Sequence, residues 1–301
     1  IAAVIAKVRS GWLGAMGDTT RIGLVGYSYG GYGVLTTAGG QLDSHSPAVT
    51  KLPADLVAAY ADKGPRSANL HADGIKAVVA ISPAGGAPWS TWGGDNAGLA
   101  GITAPLLVIV GSNDHTVGYE QGPVALFAAA RHADRHLLIF EGAGHGIGTG
   151  PTPPEMHSRL WDFDWFADPI WRKDRLNAIE THFITAFLDQ HLKGDATRAA
   201  YFAVPNEVSD NAGCLRRDEQ RRRQPHLERL LARATGWPDP APPRRRIGKQ
   251  NLPHHVHDHC RTQRQRGRAS SSPKTLLRIN RNKFIPKSET GDRLCPIPTG
   301  S

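Results

Sequence analysis

The chain is 301 residues long, 40% hydrophobic, with a formal net charge of +9, enough for one sizeable globular domain or two small ones. Its longest apolar runs, such as Ala77 to Ile81 and Leu106 to Val110, are strand length, far short of the roughly 20 residues a spanning helix needs, which excludes a membrane-spanning helix. The positive charge is confined to one end: residues 214–301 hold 21 Lys and Arg against 7 Asp and Glu, and residues 1–213 hold 15 against 20, so a mildly acidic body carries a strongly basic tail.

The chain opens at Ile1-Ala2-Ala3-Val4-Ile5-Ala6-Lys7-Val8, an amphipathic helix already under way without an initiating methionine. The expectation is an N-terminally truncated domain, so the lack of a signal peptide carries no information about compartment. Asp18-Thr19-Thr20-Arg21 turns into the apolar Ile22-Gly23-Leu24-Val25; Gly26-Tyr27-Ser28-Tyr29-Gly30-Gly31 follows, then a helix-compatible Tyr32 to Ala38 that ends near Gly39-Gly40. Gln41 to Leu70, with Pro47, Pro53 and Pro65 and one helical patch at Asp55 to Tyr60, reads as an excursion over the sheet rim, either a plain surface insertion or a substrate-binding segment. Ile75 to Ile81 is a continuous apolar strand of the kind a parallel sheet buries on both faces. Ser82 to Gly98 is then a loop holding Trp89 and Trp92. Leu106 to Val110 is the next strand, Gly122 to Ala130 the helix after it, and His136 to Phe140 a further strand. Strands alternating with helices at this spacing predict an α/β fold with a mostly parallel, doubly wound sheet.

Beyond it, Trp161-Asp162-Phe163-Asp164-Trp165-Phe166 is dense in aromatics. Core packing is the first reading of this aromatic stretch and a pocket wall the second, with Trp89, Trp92, Trp161 and Trp165 as the candidates for substrate binding. A helix from about Arg175 to Leu192 follows, with Ile179, Phe183, Phe187 and Leu188 on one face and Gly194 placed as its C-terminal cap.

The chemistry centres on G-x-S-x-G at Gly26 to Gly30. Alone it is a common pentapeptide; closing a buried strand and opening a helix, it is the context of a nucleophile elbow. Gly26 and Gly30 are expected to leave the room so tight a turn requires, and the backbone N–H of Tyr29 lies at the positive end of the following helix, where an oxyanion would form. Neither G-x-G-x-x-G nor G-x-x-x-x-G-K-[ST] is present at this loop to make it a phosphate site. A serine hydroxyl needs a base within hydrogen-bond reach and a carboxylate to orient that base. Asp114, in Val110-Gly111-Ser112-Asn113-Asp114, and His145, in Glu141-Gly142-Ala143-Gly144-His145-Gly146, follow in the order serine, acid, histidine, each just past a strand end. His115, His132, His136 and His182 are the rival histidines, and Asp95 and Glu141 the reserve acids.

Residues 1–213 resemble the C-terminal part of the α/β-hydrolase superfamily, in particular the predicted dienelactone hydrolase and platelet-activating-factor acetylhydrolase-like serine esterases. The match is carried by Gly26-Tyr27-Ser28-Tyr29-Gly30-Gly31-Tyr32-Gly33, Gly111-Ser112-Asn113-Asp114 with Val117-Gly118-Tyr119-Glu120, and Ala143-Gly144-His145. The resemblance implies hydrolysis of a small-molecule carboxylic ester through an acyl-enzyme on Ser28, with His145 as base and Asp114 as its orienter, and no metal or organic cofactor. Serine in place of cysteine at the elbow sets the chain apart from true dienelactone hydrolases. In the family a His-Gly loop supplies a second oxyanion donor; it would precede Ile1, and the loss of one such donor costs about a hundredfold to a thousandfold in turnover, so weak activity is expected of the chain as it stands. A serine peptidase or a lactonase on the same fold is the alternative.

From Cys214 the texture changes. Arg221-Arg222-Arg223, Arg244-Arg245-Arg246 and His254-His255-Val256-His257-Asp258-His259-Cys260 follow one another without a hydrophobic period, and all three cysteines, Cys214, Cys260 and Cys295, lie here. The body thus has no disulfide and no thiolate. As a nucleic-acid arm the segment has phosphate-binding arginines but no regularly spaced aromatics to stack on bases; as a metal site its ligands fit no closed zinc spacing. The reading adopted is a basic, low-order tail arising from out-of-frame translation: with GC-rich codons and one base dropped after Gly213, the adjacent frame yields turn residues, a tryptophan and a closing apolar strand. On that reading neither nucleic acid nor metal is a partner.

Overall fold

Four of the apolar stretches, and a fifth near the C-terminus, form the strands of one sheet in the computed structural model, which describes residues 1–156, 166–203 and 274–279, all within one compact unit. The strands are β1 (Ile22–Tyr27), β2 (Ile75–Ile81), β3 (Leu106–Gly111), β4 (Arg135–Phe140) and β5 (Lys274–Ile279). They neighbour one another in chain order, and every pairing is parallel. Among the described residues β1 is paired on one edge only, and Val25 on it is 51% exposed.

Because the sheet is parallel, side chains alternate between two buried faces. On one face Leu24, Val78, Ala80, Val108 and Ile139 pack with Ile5 of α1 (Ala2–Lys7), Val34 and Leu35 of α2 (Tyr29–Thr37), and, beyond the excursion helix α3 (Ala54–Tyr60), with Leu126 of α4 (Ala125–Ala129). On the other, Val79, Ile81, Leu107, Ile109, Leu138 and Phe140 pack against Leu176, Ile179, Ala186 and Phe187 of α5 (Lys173–Lys193). Helices on both faces of an all-parallel sheet make this the doubly wound α/β architecture expected from the sequence. Gly194 ends α5 in the left-handed conformation, with φ 73° and ψ 21°, as a C-cap glycine does.

Three elements differ from the sequence reading. The helix expected over 122–130 is α-helical only from Ala125, since Gly122 (φ −97°, ψ −114°) and Pro123 interrupt a wider turn over Glu120–Val124. Trp92 is 1% exposed and stacks on Tyr32 at 4.9 Å between ring centroids, so it packs the core and does not line a pocket. Residues 274–279, inside the segment assigned to a low-order tail, form β5: Leu276 and Leu277 pack on opposite faces of the sheet, and Arg278 pairs with Glu141 at 3.1 Å. A run as short as Leu276-Leu277-Arg278-Ile279 is lost in the composition of an 88-residue segment, yet a β4 edge already in place needs little more to add a strand. The arginine runs and the His254–Cys260 cluster lie outside the described residues, as do Trp161 and Trp165. No helix among the described residues is long and apolar enough to cross a membrane.

The buried face of α5 also carries Glu180, 6% exposed, whose Oε1 has no hydrogen-bond partner. Burial pushes its carboxyl up to about 7, with Lys173 pulling the other way. A carboxyl whose folded pKa is raised favours the fold fully below its ordinary value of 4.5 and loses that contribution as pH rises through 7. Glu180→Gln should therefore gain stability over the parent chain with rising pH, by on the order of 3 kcal/mol between pH 5 and pH 9. Urea unfolding of both proteins across that range checks it; a difference that does not change with pH would contradict the burial.

Candidate active site

The C-terminal ends of parallel strands point the same way, so the loops after β1, β3 and β4 open on one rim of the sheet. Those three loops carry Ser28, Asp114 and His145. Ser28 follows β1 at φ 55°, ψ −115°, a backbone region that costs a non-glycine residue about 1–3 kcal/mol. The surroundings hold it there: its N–H donates to Ile81 O at 2.9 Å, and its carbonyl accepts from Tyr32 N–H at 3.1 Å and Ala84 N–H at 3.0 Å. Space is equally restricted. A Cβ on Gly26 would overlap Gly30 O, and one on Gly31 would lie 2.8 Å from Pro83 Cα. At Gly30, in contrast, a Cβ would meet nothing within 4 Å, so the room expected at Gly26 and Gly30 is required at Gly26 and Gly31. Tyr29 is the first residue of α2, where a backbone N–H has no intrahelical acceptor.

The loops after β3 and β4 are stitched to each other. Asn113 N–H donates to Ala143 O at 2.9 Å, and a Cβ on Gly111 would overlap that same oxygen; only glycine permits the approach. Asp114 is 1% exposed. Its Oδ1 accepts from Thr116 N–H at 3.1 Å and Val117 N–H at 3.3 Å, and its Oδ2 lies 2.8 Å from His145 Nδ1. The other ring nitrogen, Nε2, lies 3.1 Å from Ser28 Oγ. A carboxylate can only accept, so Nδ1 carries the proton and Nε2 is left as the acceptor for the Ser28 hydroxyl. Serine, histidine and aspartate thus form one hydrogen-bonded row, able to move a proton from Oγ to the imidazole while the carboxylate faces the cation that results.

The rival residues are engaged elsewhere or exposed. His132 Nδ1 is 2.8 Å from Ala100 O. His136 is buried against Phe187 and Phe202, and burial lowers its pKa. His182 meets the Tyr201 ring edge-on. His115 is exposed, as is Asp95 with its left-handed backbone. Glu141 pairs with Arg278 and accepts from Ser112 Oγ. Trp89 is 64% exposed, with Lys51 Nζ 4.9 Å from the centre of its ring.

Residues the sequence reading did not single out surround the histidine. Tyr27 donates its hydroxyl to His145 O at 2.9 Å, and the two rings are 5.1 Å apart; burial, with the charges of Asp114 and Glu180, pushes the phenol up to about 12, so it stays a donor. Asp168 Oδ2 accepts from Gly144 N–H at 2.8 Å, and Lys173 Nζ reaches the carbonyls of Gly146 and Ile147. Only Tyr27, as the residue before the serine, stood in a motif that could have drawn attention to it. Away from this rim, the excursion holds an open cavity of about 530 Å³ lined by Leu52, Val57, Ala61 and Asp62 among others, none of them from the row. Nearby, Asp43, His45 and Asp62 bring three possible metal-ligand atoms within 4.8 Å of one another at the surface.

The sequence profile of the prolyl oligopeptidase family matches residues 11–167, a span that includes Ser28, Asp114 and His145. No curated protein matches the chain. Among 65 solved chains that match, a truncated form of a carbohydrate esterase from gut microbiota has 18% sequence identity and a TM-score of 0.30, over 60% of this chain and 67% of its own.

The two glycines at the elbow should separate experimentally. Gly26→Ala forces backbone apart and should destabilise by about 1–3 kcal/mol or more, whereas Gly30→Ala, helical and unobstructed, should be neutral or slightly stabilising. Thermal unfolding of the two variants checks this; equal losses would show that the crowding is not where the geometry puts it.

Proposed function

The chain belongs to the prolyl oligopeptidase family of α/β-hydrolases, and from that premise we propose that it is a serine hydrolase acting on carboxylic esters through an acyl-enzyme on Ser28. The observation that carries the reading is the row Ser28 Oγ, His145 Nε2 and Nδ1, Asp114 Oδ2, at 3.1 and 2.8 Å. Ser28 Oγ attacks the ester carbonyl carbon as its proton passes to His145 Nε2. Asp114 holds the Nδ1 proton and stabilises the imidazolium. The carbonyl oxygen becomes an oxyanion, and the Tyr29 N–H at the start of α2 is a donor suited to it. Collapse of the intermediate expels the alcohol, which takes the proton from Nε2. Water then attacks the acyl-enzyme with His145 as base, releasing the acid and restoring Ser28. Every step uses side chains and backbone of the chain, so the reading calls for no cofactor.

The family match favours a second reading, in which the bond cleaved is a peptide bond and the leaving group an amine. An amine leaves only with a proton, and His145 Nε2 is as well placed to give one to nitrogen as to oxygen. Resemblance of the three loops to dienelactone hydrolase-like and acetylhydrolase-like esterases puts the ester first. A lactone is an internal ester and would follow the same steps.

The parent chain should hydrolyse p-nitrophenyl acetate or butyrate in preference to a proline p-nitroanilide, and a fluorophosphonate should label it at Ser28. Ser28→Ala and His145→Ala should each remove most of the turnover without adding to one another, because the residues act as a unit. Retention of more than about a tenth of the activity by Ser28→Ala would overturn the assignment of the nucleophile, and faster turnover of the anilide would put the peptidase reading first.

A further inference from the structure

The loop that carries His145 has one internal support, the 3₁₀ turn His145–Gly148, closed by Thr149, whose N–H and hydroxyl donate to Gly146 O at 3.1 and 2.7 Å. Glycines stand at 142, 144, 146 and 148, so the backbone is free to adopt many conformations, and the imidazole must nevertheless stay within about 0.5 Å of its working position. Beyond that turn and the backbone bond from Asn113 to Ala143 O, side chains from outside the loop supply the restraint. Tyr27 donates to His145 O at 2.9 Å. Lys173 Nζ donates to Gly146 O, and to Ile147 O at 3.1 Å. A Cβ on Gly148 would overlap the Tyr27 ring, so the loop backbone lies against that ring with no gap.

Two features mark these contacts as more than packing. Tyr27 is bonded directly to Ser28, so one residue holds both the hydroxyl and the loop of its base. Lys173 is the first residue of α5, where a cation opposes the helix macrodipole, and it is half-buried, with burial lowering the pKa of its ammonium. A lysine is unfavourable there on both counts. Its position is accounted for by the two carbonyls it holds and by the negative charge of Glu180 and Asp168, which acts on it in the opposite sense to burial.

We propose that Tyr27 and Lys173 are positioning residues that fix the His145 imidazole between Ser28 and Asp114, a role that rests on reading those three as the catalytic row. Neither side chain touches the reacting atoms. They act on the backbone carbonyls of 145, 146 and 147, and through them on the distance from Nε2 to Oγ. Loss of either anchor leaves substrate binding intact and reduces the fraction of molecules in which the proton can be transferred.

The test uses the full chain as parent, Tyr27→Phe, Lys173→Met, Lys173→Arg and Ser28→Ala, with p-nitrophenyl acetate kinetics per mole of protein, fluorophosphonate labelling and circular dichroism on each protein. Tyr27→Phe and Lys173→Met should each lower kcat about tenfold or more, with KM within about twofold and unchanged spectra. Lys173→Arg, which keeps the charge and donors, should recover kcat to within about threefold of the parent. Folded Tyr27→Phe and Lys173→Met with kcat within about twofold of the parent, or a loss carried by KM, would overturn the proposal while leaving the catalytic row standing. If Lys173→Met does not fold, Tyr27→Phe, which removes a single oxygen, decides alone. If the parent is neither labelled nor active in a Ser28-dependent way, the catalytic row itself falls, and the positioning role with it.

Discussion

The left-handed backbone of Ser28 is the constraint on which the rest of this rim depends. A serine at φ 55° is strained, and such a conformation persists only where neighbours over-determine it. Here the neighbours are Ile81 at the end of β2, Tyr32 one turn into α2, and Ala84 just past β2. Gly26 and Gly31 let the chain fold back on itself without a side chain in the way, and Pro83 closes the space beside them. The strain at one residue is thus held by two strands and a helix, and its result is a hydroxyl raised above the sheet at the end of a short strand.

A second close approach ties the acid and the base together before either side chain is considered. Gly111 at the end of β3 lies so near Ala143 that the turn bearing Asp114 and the loop bearing His145 share one hydrogen-bonded framework, through Asn113 and Ala143. The register Gly111↔Phe140 between β3 and β4 sets that approach. Burial completes it. Asp114 is enclosed and satisfied by two backbone N–H groups on one oxygen, leaving the other for the imidazole. An enclosed carboxylate with partners on both oxygens has little freedom to turn away.

The periphery follows from the same sheet. α5 covers the face opposite α2 and starts next to the His145 loop, so the helix that completes one side of the core also delivers Lys173 to Gly146 and Ile147. Trp171, just before it, donates its indole N–H to Glu141 O at 2.9 Å and packs edge-on against Phe140. β5 extends the sheet past β4, and its Arg278 meets Glu141. Core packing and loop support therefore share residues, and the loop after β4 is restrained from β1, from α5 and from the segment that leads into α5.

Much of this was legible in the residues. Continuous apolar runs of five to seven residues separated by glycine-rich turns specify buried parallel strands, because a strand enclosed on both faces has no polar side to show; β2 and β3 begin where those runs do. The elbow, and the order serine, aspartate, histidine, could be read because each residue lies within a few positions of a strand end, and parallel strands bring their ends to one rim. What the sequence could not indicate depends on contacts between segments far apart in the chain. Trp92 reads as a pocket residue until its ring is placed against Tyr32, 60 residues earlier. The need for glycine at 31 comes from Pro83, and at 111 from Ala143. Tyr27 and His145 are 118 residues apart, and Lys173 and Gly146 are 27 apart. β5 takes its place through an edge of β4, which nothing in the composition around residues 274–279 could announce. Local periodicity encodes which face of an element is buried; which distant atom meets it is decided only when the sheet has assembled, because that contact depends on the register and packing of the whole.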